Sequence, residues 1–197
     1  MIKTLAALAA IAISSSAMAL SYYTFDFTTG GNSNSFVQSG NSLTFWDTTH
    51  TISLTATGQR NNANSRVLQF SLGGLYVKNA NDTRFQIDGH QGNDLLTLDL
   101  GSSFKFVEAY FYEPNIEGND DVNIRIDGSF QSRVDVEPTL DLSPYSGSSV
   151  GFRAVQNNDN FTVTGLKVAK VPDGGSTLAF MSLGIGGLFV ARKRLKK

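Results

Sequence analysis

Two short acidic turns hold the residues best suited to chemistry. Asp88-Gly89-His90-Gln91-Gly92-Asn93-Asp94 and Glu117-Gly118-Asn119-Asp120-Asp121 gather carboxylate and amide oxygens on glycine-broken loops, the hard-oxygen setting that Ca²⁺ takes. Asp88, Asp94, Asp120 and Asp121 are the candidate ligands, although neither stretch has the EF-hand spacing. The same residue types also build plain turns, because Asp and Asn side chains hydrogen-bond the neighbouring backbone. Both roles fit the pattern. His90 could join a metal set or stay solvated.

Aromatic residues offer a second chemistry. Tyr22, Tyr23, Trp46, Tyr110 and Tyr112 carry flat rings, which suit a sugar-binding surface as well as a core. Trp46, Tyr110 and Tyr112 are the candidates for facing a ligand. Glu108, Glu113 and Glu117 could supply a carboxylate pair for glycoside hydrolysis, where separation decides the reaction. Gly147-Ser148-Ser149-Val150-Gly151 satisfies G-x-S-x-G, a hydrolase pattern that needs a strand before the serine, a helix after it and a later histidine. Here a strand pattern follows, and no histidine lies beyond His90.

The elements that position these residues read as strands. Period-2 alternation marks Leu96, Leu98 and Leu100 against Thr97 and Asp99, and Val122, Ile124 and Ile126 against Asn123, Arg125 and Asp127. In Phe104–Tyr112 strict alternation leaves both faces apolar, as in a central strand or one with a functional outer face. Residues 160–170 change phase at Gly165, where a one-residue bulge would restore a single buried face. Further strands are expected at 22–27, 42–46, 51–56, 67–70, 75–78, 85–87, 133–136 and 150–155. No 3.6-residue apolar period occurs between residues 20 and 170. The fold class is therefore all-β, an antiparallel β-sandwich of jelly-roll type.

Composition narrows the partners. Residues 20–170 hold ten lysines and arginines against sixteen carboxylates, a balance of about −6. A nucleic-acid partner is excluded on that charge. The chain has no cysteine, so disulfides, thiolate metal sites and cysteine nucleophiles are excluded too.

Both ends depart from the strand pattern. Residues 1–19 read as a signal peptide, with Lys3, an apolar run from Leu5 to Ile13, and Ala17-Met18-Ala19 as the cleavage site before Leu20. Residues 20–170 form the ectodomain. Pro172 and the Asp173-Gly174-Gly175 turn then break any incoming strand. From Gly174 to Ala191 there is no charge, enough for a short transmembrane helix placed at 176–191. Arg192, Lys193, Arg194, Lys196 and Lys197 follow as a tail at 192–197 that stays cytoplasmic by the positive-inside rule.

Residues 171–197 resemble the PEP-CTERM class of sorting signals, in its Val-Pro-Asp-Ser-Gly variant. Val171, Pro172, Asp173, Gly175, Ser176 and Thr177 match that motif, and Gly174 stands where the variant has serine. The resemblance implies recognition by an exosortase, transient residence in the inner membrane, and cleavage near the motif. It further implies release to the cell surface or matrix, an association with exopolysaccharide, and a Gram-negative-type envelope. Residues 73–101 are also similar to a segment of such ectodomains, which again implies a β-sandwich. The expected function is a non-enzymatic surface or matrix protein without a cofactor. A carbohydrate-binding module, with or without calcium, and a secreted hydrolase are the alternatives.

Overall fold

Alternation dictates the strands. In Asp121–Ile126, Val122, Ile124 and Ile126 are buried while Asp121, Asn123 and Arg125 stay partly open, because successive side chains leave a strand on opposite faces. The computed structural model describes residues 20–28, 36–70, 73–78, 86–89, 92–112, 120–156 and 158–170. Its strands, in chain order, are β1 (Tyr22–Asp26), β2 (Phe36–Ser39), β3 (Ser42–Trp46), β4 (Ser53–Arg60), β5 (Ala63–Phe70), β6 (Gly74–Lys78) and β7 (Ile87–Asp88). They continue with β8 (Asp94–Tyr112), β9 (Asp121–Ile126), β10 (Ser129–Asp135), β11 (Thr139–Asp141), β12 (Ser146–Ala154) and β13 (Asn160–Lys170). Every pairing between them is antiparallel. The signal peptide at 1–19 and the segment at 171–197 lie outside the described residues.

The long strand β8 belongs to two layers. Its first half, Asp94–Asp99, runs between β4 and β12. Its second half, Phe104–Tyr112, runs beside β13, with the start of β12 on its other side at Phe104–Lys105 and β11 at Glu108–Tyr110. The first layer reads β3–β4–β8–β12–β9–β10 with β2 at its edge, and the second reads β1–β13–β8–β11 with β6 and β7 beside the start of β13. Strand β5 also crosses over, pairing with β4 through Ala63–Ser65 and with β6 from Arg66 onward.

One apolar core lies between the layers. Phe111 of β8 meets Phe152 of β12 edge-on at 5.2 Å and Phe161 of β13 at 5.6 Å between ring centroids. Phe27 and Phe45 make a second edge-on pair at 5.0 Å. Such pairs add to the burial of the rings themselves.

Bulges set which residues face this core. Val163 pairs with Phe111 and Gly165 with Tyr110, so the expected bulge lies between them and leaves Phe161, Val163, Leu166 and Val168 all buried. A Cβ at Gly165 would lie 2.8 Å from the Phe25 carbonyl and 2.9 Å from the Tyr110 ring. A second shift pairs Lys167 with Glu108 but Val168 with Phe106, so Val107 is the extra residue on β8. That shift corrects the reading of two apolar faces. Phe104 and Phe106 before it, and Ala109 and Phe111 after it, all turn inward.

Turn chemistry moves other boundaries. Buried Asp47 accepts the backbone N–H groups of Thr49 (2.9 Å), Thr51 (2.6 Å) and Ile52 (2.8 Å). Those bonds hold residues 47–52 in a turn, so the strand expected at 51–56 begins at Ser53 and runs to Arg60. Asp127 (φ 49°) and Gly128 (φ 79°) turn β9 into β10, and Asn61 (φ 49°) with Asn62 (φ 67°) does the same between β4 and β5, the two-residue turns that match strand twist. Strands β2 and β11 have no counterpart in the sequence reading.

Candidate functional site

The acidic turns converge at one end of β13. Asp88 is the register partner of Asn160, and its backbone N–H donates to Asp94 Oδ2 at 3.4 Å. Asp94 lies opposite Arg60 and forms an ion pair with its guanidinium at 3.7 Å. Asp120 Oδ1 accepts the Asn160 N–H at 3.2 Å. Asp121 Oδ2 accepts from Arg133 and, at 3.1 Å, from the Gln156 side chain. At the centre sits Asp159, which the sequence reading did not single out. It is fully buried and accepts N–H groups of Asp121 (3.2 Å), Val155 (2.9 Å) and Gln156 (2.6 Å).

These bonds staple loops together, as Asx side chains do in turns. Among the described residues no three His, Asp or Glu side chains are grouped to hold one ion. The Asn160 Oδ1 oxygen is buried there without a hydrogen-bond partner. His90, Glu113 and Glu117 lie outside the described residues.

Tyr22, Tyr110 and Tyr112 share a different place, the outer face of the second layer, whereas Tyr23 packs against the core, edge-on to Phe104 at 6.2 Å. Asp141, Glu108, Lys167 and Thr24 stand side by side across β11, β8, β13 and β1. Thr139, Tyr110, Gly165 and Asp26 form the neighbouring row. Tyr110 donates its hydroxyl to Glu108 Oε2 at 2.7 Å, and Lys167 Nζ reaches the same oxygen at 3.4 Å. Lys167 Nζ also lies 5.6 Å from the centre of the Tyr22 ring, within cation–π range. Tyr22 is 57% exposed and Tyr112 52%, while Tyr110 lies half-buried against Gly165.

Electrostatics define what this face can do. The Tyr110 hydroxyl and then Lys167 hold the Glu108 carboxyl below its ordinary value, outweighing partial burial. Burial and the neighbouring Glu108 push the Tyr110 phenol up to about 12. Bonds from Ser143 lower Asp141, next to Glu108 in register. The face therefore presents ionised carboxylates and a neutral phenol at neutral pH, with Lys167 beside Glu108 and Lys105 near Asp141. Neither Glu108 nor Asp141 is held protonated, as a glycosidase general acid must be.

Trp46 does not join Tyr110 and Tyr112. It lies half-buried on β3 opposite Ser53, in the first layer. Lys167 was missed by sequence reasoning, because only the pairing of β13 with β8 and β1 places it between Glu108 and Tyr22. The G-x-S-x-G stretch lies within β12. Ser148 and Ser149 donate to Asp127 Oδ1 at 2.9 Å and 3.4 Å, and no nucleophile elbow is formed.

An antiparallel all-β domain followed by a sorting segment is the class of protein these observations define. Residues 170–195 match the family model of the VPDSG-CTERM motif, a PEP-CTERM-like sorting signal variant. A sorting motif of this kind points to an exported surface protein. A solved structure described as CpGH89CBM32-5 from Clostridium perfringens, in complex with GalNAc-β-1,3-galactose, is similar at 17% identity and a TM-score of 0.25. The match covers 40% of this chain and 66% of that one, and at that TM-score it carries no argument. No curated protein matches the chain. Among the described residues no helix is long and apolar enough to cross a membrane; the helix expected at 176–191 lies outside them.

Proposed function

We propose that the chain is an exported surface or extracellular-matrix protein, held in the membrane during export, cut by an exosortase within Val171–Gly175, and retained by polysaccharide outside the cell. The observation that carries this reading is the VPDSG-CTERM match at 170–195. The tyrosine face supports the polysaccharide part, since exposed rings beside fixed polar groups suit sugars, which offer an apolar ring face and hydroxyl edges. The low carboxyl values of Glu108 and Asp141 favour binding without turnover. The acidic cluster is a hydrogen-bonded staple in this account, with calcium on Asp88, Asp94, Asp120 and Asp121 as its alternative occupant.

Fractionation of the native host tests the sorting step. A chain with Pro172→Ala and Asp173→Ala should stay in the membrane fraction, while the unaltered chain appears outside the cell. Equal release of both would overturn processing at the motif.

A further inference from the structure

Both ends of the domain leave from one corner of the second layer. Tyr22 of β1 is the register partner of Ala169 of β13, and the Lys170 N–H donates to the Ser21 carbonyl at 3.0 Å. The signal-peptide cut expected before Leu20 and the motif that begins at Val171 therefore lie on either side of one hydrogen bond. Chain length then limits how far this corner can stand from a bilayer. Strand β13 runs to Lys170, and residues 171–175 alone separate it from the transmembrane helix expected at 176–191. Fully extended, that connection reaches about 20 Å, and the headgroup layer takes up about 6 Å of it. The corner at Leu20 and Lys170 is the part of the domain tethered nearest the lipid.

The side chains at this corner suit an interface. Leu20 is 39% exposed and Tyr22 57%, two of the four large apolar side chains left exposed among the described residues. The row nearest the corner runs Tyr22, Ala169, Lys105 and Ser146 across β1, β13, β8 and β12 and holds no carboxylate. Lys105 and Lys170 are exposed there. Glu108 and Asp141 stand one row back, with Glu108 against Lys167, and Asp127 is bonded to Ser148 and Ser149 further along β12. Tyrosine settles at headgroup level, and lysine lays its stem along apolar surface while its ammonium stays with the polar groups.

We propose that this corner docks on the lipid surface while the chain is anchored. Leu20 and Tyr22 enter the headgroup layer, and Lys105 and Lys170 meet lipid phosphates. The inference rests on the reading above that the chain is held in the membrane during export, and it names the surface of the domain that meets the lipid.

The chain has no cysteine, so a single cysteine carries a nitroxide label to any chosen point. Labels are placed through Ser103→Cys, exposed beside Phe104 at the corner, Tyr112→Cys at the far end of β8, and Leu183→Cys in the uncharged segment. The full chain is set in vesicles of phosphatidylethanolamine and phosphatidylglycerol, and oxygen against a water-soluble nickel chelate reads the depth of each label. The expected result is position 183 in hydrocarbon, position 103 in the headgroup layer and position 112 in water. Adding Leu20→Ser with Tyr22→Ser should return position 103 to water; both side chains are exposed, so the thermal midpoint should not move. Positions 103 and 112 equally in water, with 183 in hydrocarbon, would overturn the docked corner while the anchor stands. Position 103 unmoved in the double variant would overturn the assignment to Leu20 and Tyr22, the tether alone then setting its depth. Position 183 in water would overturn both the docking and the anchor.

Discussion

Asp47 shows how one side chain fixes a local fold. Its carboxylate is buried, yet three backbone N–H groups and the Thr49 hydroxyl converge on it. Burial opposes its charge, but those bonds prevail and hold the carboxyl below its ordinary value. Asp47→Ala strips the partner from those donors and should cost about 2–4 kcal/mol by denaturant unfolding. Glu108, Asp127 and Asp141 are lowered as well. A lowered carboxyl stabilises the fold above its ordinary value, and that contribution is lost as the pH falls through the lowered one. The thermal midpoint should therefore hold from neutral pH to about pH 4 and decline below it; a midpoint rising on acidification would contradict this. On the tyrosine face, Tyr22→Ala with Tyr112→Ala should weaken binding to host polysaccharide about tenfold, the scale of two lost stacking contacts, without moving the midpoint, because both rings are solvent-exposed.

Irregularities, more than strand lengths, position the candidate surfaces. The bulge at Gly165 was legible in the sequence because the apolar parity switches there and glycine marks the switch. The matching shift at Val107 was not, because apolar residues fill both parities of Phe104–Tyr112 and each parity carries one charge, Glu108 in one and Lys105 in the other, so neither face stands out as the buried one. Gly165→Ala should destabilise the domain by about 1–3 kcal/mol, since the Phe25 carbonyl cannot yield as a flexible side chain would. The same parity logic located Tyr110 and Tyr112, but not Lys167, whose neighbours come from strands distant in the chain. Asp88 and Asp120 were legible as turn residues; that they meet at Asn160 follows only from β7 pairing with the start of β13. Calcium and a chelator separate the two roles of that cluster. A staple leaves the midpoint unmoved by either, whereas a rise of several degrees with calcium would assign it a metal.

At the scale of the molecule, the two layers are joined by strands that serve both and by rings that meet between them. Phe111→Ala removes the ring touching Phe152 and Phe161 and should cost about 3–5 kcal/mol. This all-β domain precedes a sorting motif at 170–195; under the proposed function it is a binding domain delivered outside the cell and freed from its anchor. Intact mass of the protein from the extracellular fraction of its native host tests this most directly. The expected species begins at Leu20 and ends within Val171–Gly175. A species still carrying Lys197 in every fraction would contradict it.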